Sequence, residues 1–109
     1  MLALGGNVRI FMCRNSVDLR KGFEGLSGLV ESLKLGDLTS GAYFVFLNRQ
    51  RDKMKILYWD SDGLAIWYKR LEKGTFGKHV GDSDLDRRTF FMLLEGVVPQ
   101  RLRTRFKMG

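Results

Sequence analysis

Residues 55–68 read KILYWDSDGLAIWY. Two runs rich in aromatic and β-branched residues flank Asp60-Ser61-Asp62-Gly63, and the reading of that tetrapeptide decides both the fold and the chemistry. As a calcium loop it fails. With Gly63 at loop position 6, Asp60 and Asp62 fall at positions 3 and 5, but position 1 is Tyr58 and position 12 is Lys69, so both anchoring ligands are missing. As a turn it succeeds. Asp is favoured at the start of a tight turn, and Gly63 can take the left-handed conformation of a type I turn followed by a bulge. That register predicts a hairpin in which Asp60 faces Leu64, Tyr58 faces Ile66 and Ile56 faces Tyr68. Leu57 with Trp67 and Trp59 with Ala65 then share the opposite side. Both faces are apolar or aromatic, so one covers the domain's own core and the other meets helices, a second subunit or a ligand.

Working outward, Val8 to Cys13 is a short apolar run that reads as a strand. Ser16 can cap a helix over residues 16–34, with Leu19, Phe23, Leu26, Val30 and Leu33 on one stripe. Gly22, Gly25 and Gly28 would line a side that another backbone could approach, and Gly36 supplies a stop. Tyr43 to Leu47 (YFVFL) reads as a strand covered on both faces, and residues 48–53 as a basic hairpin loop. Residues 70–76 continue or turn the sheet. Ser83-Asp84-Leu85-Asp86 has capping-box spacing and predicts a second helix over 84–95, after which Gly96 and Pro99 close the structured part. The expectation is an α+β domain over residues 1–99, an antiparallel meander of about four or five strands with two packed helices. Residues 100–109 form a basic C-terminal tail expected to stay disordered without a partner.

The chain has 109 residues, 44% hydrophobic and 28% charged, with one Pro. That composition belongs to one folded soluble domain and excludes a disordered chain. No apolar run is long enough to cross a bilayer and no leader pattern opens the sequence, so a cytoplasmic protein without a membrane partner is expected. Cys13, the single cysteine, sits in an apolar run and reads as a buried thiol.

The formal net charge is +7. Basic residues concentrate at Arg49, Arg51, Lys53 and Lys55, at Lys69 and Arg70, and at Arg101, Arg103 and Arg105 of the tail. Such clusters suit a polyanion, and for a cytoplasmic protein nucleic acid is the commonest one; a solubilising surface is the bland alternative. Tyr58, Trp59, Trp67 and Tyr68 beside the basic loop could stack on exposed bases, or form core and a partner interface, as strand aromatics usually do. Catalytic options are few. His79 is the only histidine, which excludes a multi-histidine metal site, and no nucleophile is paired with a base. Asp82, Asp84 and Asp86 suit helix capping better than a two-metal centre, and no phosphate-loop or dinucleotide fingerprint is present. The chain reads as non-catalytic, with no cofactor and no metal.

Four stretches resemble a known family: DLRKGFEGL at Asp18 to Leu26, SGAYFVFLNRQRDKMKILYWDSDG at Ser40 to Gly63, KRLEKGTF at Lys69 to Phe76, and MLLEG at Met92 to Gly96. Together they are similar to the TnpB-type accessory proteins, products of the second open reading frame, of the insertion-sequence-66 family of bacterial transposable elements. After Phe76 the chain departs from the family's usual Trp-Pro and reads Gly77-Lys78-His79-Val80. The resemblance implies an accessory role in DNA transposition beside a larger transposase that carries the catalytic acids. The implied partners are the element's DNA, most naturally its ends, the larger transposase and a second copy of the chain. For DNA contact the residues expected are Arg49, Arg51, Lys53 and Lys55, helped by Arg20, Lys21, Lys69, Arg70 and the tail arginines. A protein–protein adaptor using the aromatic sheet face is the alternative.

Overall fold

The computed structural model describes residues 8–76 and 84–85. They form strand β1 (Ile10–Met12), helix α1 (Phe23–Ser32), and strands β2 (Tyr43–Leu47), β3 (Lys53–Asp60), β4 (Gly63–Arg70) and β5 (Asp84–Leu85). One sheet holds all five strands in the order β4-β3-β2-β1-β5. Strands β2, β3 and β4 follow one another antiparallel, as expected of a meander. The all-antiparallel expectation does not extend to β1, which pairs parallel with β2, Ile10 opposite Tyr43 and Met12 opposite Val45. A parallel pair needs a crossover, and α1 supplies it. The sheet is therefore mixed, within the broad α+β class.

The central strand β2 is buried at every residue, which is why five apolar residues run without alternation. Its side chains feed two cores. Tyr43, Val45 and Leu47 pack with Ile10, Met12, Met54, Ile56 and Phe76 on one face. Phe44 and Phe46 pack with Leu57 and with Leu26 and Val30 of α1 on the other. The Phe11 and Phe44 rings stack at 5.7 Å, and Gly36 lies against them, where an added Cβ would come within 3.2 Å of Phe44. Each fully buried large side chain stabilises the fold by about 1.5–3 kcal/mol.

Helix α1 is shorter than the stripe predicts. Residues 13–17 instead run on beside β2, the Cys13 N–H donating to Val45 C=O and the Val17 N–H to Leu47 C=O, both at 2.9 Å. Ser16 therefore caps nothing. Asp18 then folds the chain into a local turn, its Oδ1 accepting the Arg20 backbone N–H at 3.0 Å, the competition with helix that short polar side chains offer. Gly22 is the N-cap. Leu26 and Val30 carry the buried face, whereas Phe23 and Leu33 are half exposed. Among the described residues no backbone approaches the glycines: nothing lies within 4 Å of a Cβ added at Gly22 or Gly28, and Gly25 meets the Lys21 side chain. The helix ends before Gly36. Lys34 takes the left-handed conformation at φ 53°, its N–H donates to Glu31 C=O and the Leu35 N–H to Val30 C=O, a Schellman ending with lysine where glycine is usual.

The aromatic hairpin forms with its register shifted by one residue. Asp60 pairs with Gly63, Tyr58 with Ala65, Ile56 with Trp67 and Lys55 with Tyr68. Ser61, not Gly63, takes positive φ (58°), so the loop is the two residues Ser61-Asp62 and there is no bulge. A one-residue slip moves the whole of β4 relative to its partner. Trp67 therefore shares a face with Ile56 and Tyr58, not with Leu57. Where residues 71–76 turn away from the sheet, the Leu71 and Phe76 N–H groups each donate at 2.7 Å, to Asp52 and Arg51 C=O, and Phe76 is fully buried.

Asp84 and Leu85 pair with Phe11 and Ile10 as a strand, so the helix expected over 84–95 does not begin there; its remaining residues, and the tail over 100–109, lie outside the described residues. Among the described residues no helix is long and apolar enough to cross a membrane.

A candidate nucleic-acid interface

The basic loop between β2 and β3 is organised by Asn48. This nearly buried side chain accepts the Lys53 N–H at 2.9 Å and donates to Asp52 at 2.7 Å and to Gln50 at 3.2 Å. The Arg51 N–H closes a turn on Asn48 C=O, and Arg51 sits at φ 61°. The Asn48 amide donor holds Asp52 below its ordinary carboxylate range, so its charge persists beside Lys53, 3.7 Å away.

Alternation along β3 puts Lys53 and Lys55 on the face of Leu57, where α1 lies, and the observed register brings Tyr68 and Arg70 opposite them. The Lys55 ammonium donates to Lys21 C=O at 2.9 Å and stands 4.9 Å from the Tyr68 ring centre. The strap before α1 passes alongside. Between strap and loop opens a groove of about 420 Å³, lined by Asp18 and Arg20 on one side, Asn48, Arg49 and Lys53 on the other, and Tyr68 at its end.

The cations around this groove differ in how they are held. Arg20 grips Asp18 through Nε at 3.0 Å and Nη2 at 2.6 Å. That side-chain bonding, with the backbone N–H of Arg20, lowers the Asp18 carboxyl to about 2 and raises Arg20. Arg70 is tied to Glu72 at 3.2 Å. Arg49 is exposed and has no ion pair among the described residues. These exposed pairs are weak in water, so a polyanion can draw their cations away.

Arg20, Lys21, Arg49, Lys53 and Lys55 thus gather on one side of the molecule. Lys69 is exposed but pairs with Met54, on the other face of the sheet. Arg51 is half buried and lines a smaller recess of about 120 Å³ with Cys13 and Arg14; partial burial lowers its pKa. Burial also raises the Cys13 thiol. Arg101, Arg103 and Arg105 lie outside the described residues.

The four aromatic residues divide between two faces. Tyr58 packs edge-on against Tyr43 at 5.2 Å and, with Trp67, covers the core that lies away from α1. Trp59 is half buried and its indole N–H donates to Ser61 C=O at 3.2 Å, bracing the turn. Only Tyr68, 52% exposed, stands open beside the cations. Asp60 and Asp62 are exposed at the hairpin tip, and among the described residues no cluster of acids, histidine or cysteine could hold a metal. Nothing in the sequence alone marks Asp18, Asn48 and Gln50 as site residues. Their polar types beside arginines carry no periodic signal, and only the fold places strap and loop together.

A family model described as IS66 Orf2 like protein matches residues 8–104. The chain belongs to that family. The match spans the stretches whose resemblance pointed there, and the groove lies wholly within the IS66 Orf2 like region. The chain is similar to two proteins of Sinorhizobium fredii (strain NBRC 101917 / NGR234). Uncharacterized protein y4jC is 37% identical over 76 residues, 70% of this chain and 65% of the relative. Uncharacterized protein y4hO is 39% identical over 77 residues, 70% of this chain and 66% of the relative. The matched part of this IS66 Orf2 like chain thus spans slightly under two thirds of these relatives. No solved structure matches it.

Proposed function

We propose that this protein is a non-catalytic accessory factor of DNA transposition that contacts the element's DNA through the groove side of the sheet. The observation that carries the reading is that Arg20, Arg49 and Lys53 line one groove, drawn from a strap and a loop distant in sequence, with the Lys55 ammonium beside it at the Tyr68 ring. Lysine and arginine groups so placed neutralise phosphates and release counterions, which gives binding that weakens steeply with salt. Family membership supports the context: an insertion element, with a larger transposase as the second partner.

The test is a salt-titrated binding assay on the element's terminal DNA, with and without the large transposase. Binding should fall by at least tenfold between about 50 and 200 mM salt, as expected for several phosphate contacts. Charge reversal at Arg49, Lys53 and Lys55 should abolish it while leaving the fold intact. Binding unchanged over that salt range would sink the reading. Cleavage of the DNA that requires a metal ion and vanishes in Asp60→Ala or Asp62→Ala would overturn the non-catalytic part.

A second reading is favoured by the half-exposed Phe23 and Leu33 at the two ends of α1. An adaptor would use such residues to hold the transposase or a second copy of itself, with the basic surface serving only solubility. Charge reversal of the groove would then leave assembly unchanged, and Phe23→Ser with Leu33→Ser would abolish it.

A further inference from the structure

We infer that the groove receives one unpaired nucleotide of a single DNA strand, its base on Tyr68 and its phosphates on Arg49 and Lys53. The inference rests on the DNA-binding reading and names the form of DNA that this site takes. Cations spaced along a surface suffice to neutralise the phosphates of a duplex. Here the cations surround a groove of about 420 Å³, within the range that holds small molecules.

Its polar and aromatic content points the same way. Tyr68 is 52% exposed, although most aromatic residues of this sheet are partly or wholly covered. The Lys55 ammonium near its ring holds the ring in place and adds positive charge where a phosphate would pass. Stacking on a half-open tyrosine needs an unstacked base, which a duplex does not offer and a frayed or single-stranded end does. The groove also presents the Asp18 carboxylate, whose oxygens are freed to accept when a phosphate draws the exposed Arg20 away. A carboxylate repels phosphate but accepts hydrogen bonds from base amino groups, so its place is at a base edge rather than on the backbone. The Gln50 side chain, also on the lining, can both donate and accept there.

The experiment compares a labelled single-stranded oligonucleotide with a duplex of the same sequence by fluorescence anisotropy, using the full chain and its variants. The native protein should bind the single strand more tightly than the duplex. Tyr68→Ala should weaken single-strand binding by roughly 5- to 150-fold, the range of one lost base stack, and leave duplex binding within about twofold. Tyr68→Phe, which keeps the ring, should restore it and shows that the site is folded. Arg49→Glu and Lys53→Glu should weaken both forms. Duplex binding through Arg49 and Lys53 that is at least as tight as single-strand binding, or indifference to Tyr68→Ala, overturns this inference and leaves the general DNA reading standing. Binding to neither form overturns both.

Discussion

Lys55 and Tyr68 are directly opposed across the β3–β4 ladder, and the ammonium of one lies 4.9 Å from the ring centre of the other. The same ammonium donates to the carbonyl of Lys21, so one side chain joins the hairpin to the strap before α1. Exposed cation–π pairs contribute about 0.5–1 kcal/mol. Lys55→Ala and Tyr68→Ala should each lower stability by about 1 kcal/mol. A double-mutant cycle on urea unfolding should give a coupling of about 0.5–1 kcal/mol; additive effects would remove the pair from the account.

Asn48 fixes the loop that carries Arg49 and Lys53. Its side chain is nearly buried and makes bonds to Gln50, Asp52 and the Lys53 N–H. Asn48→Ala leaves the Lys53 donor without this partner, at a cost of about 1–3 kcal/mol. The measurement is the urea midpoint, with DNA affinity falling alongside because the groove loses its far wall.

Lys34 closes α1 from the left-handed region, at φ 53°, where a side chain costs about 1 kcal/mol that glycine avoids. Lys34→Gly should therefore raise the melting temperature despite adding a glycine, the gain being partly offset by the freer unfolded chain.

Gly28 is the opposite case. It lies inside α1, and among the described residues nothing comes within 4 Å of an added Cβ. Gly28→Ala should stabilise by about 1 kcal/mol, read from thermal unfolding. Destabilisation would mean that some neighbour occupies that side of the helix.

Acid should act on the strap through Asp18. Its folded pKa, about 2, is below the ordinary 3.8 because Arg20 bonds its carboxylate. The folded state thus binds this proton less readily than the unfolded one. The contribution is fully present above the unfolded value and disappears as pH falls through the folded one. A carboxyl NMR titration of Asp18 should have its midpoint near 2. In Arg20→Gln the midpoint should move up toward 3.8, the ordinary value.

The hairpin was legible because Met54 to Tyr68 carries strand-forming residues around a polar tetrapeptide, and YFVFL announced a strand buried on both faces. The register was not, because serine at positive φ is uncommon and Gly63 offered the more usual place for it. The parallel pairing of β1 is signalled in the sequence only by the order strand, helix, strand, and a first strand of three residues carries that signal weakly. Helix α1 looked longer than it is because the N–H of Val17 has a partner, Leu47 C=O, that only the folded sheet supplies. The same holds for the groove. Charge density marked Arg49, Lys53 and Lys55, but Asp18 and Arg20 join them only because the crossover lays the strap beside the loop.

The parallel seating of β1 on β2 also sets an order of assembly. β3 and β4 meet through a two-residue turn, so their pairing closes a short loop and carries little entropic cost. β1 reaches β2 only after the whole crossover with α1 has been laid down, and Ile10 meets Leu85 across a still longer span of chain. The hairpin with Tyr68 can therefore form early, whereas the wall of the groove that carries Asp18 and Arg20 depends on contacts of longer range. A partly folded chain would show its loop cations and its open tyrosine before it had a groove, so the recognition proposed for the site waits on the seating of the strap beside the loop.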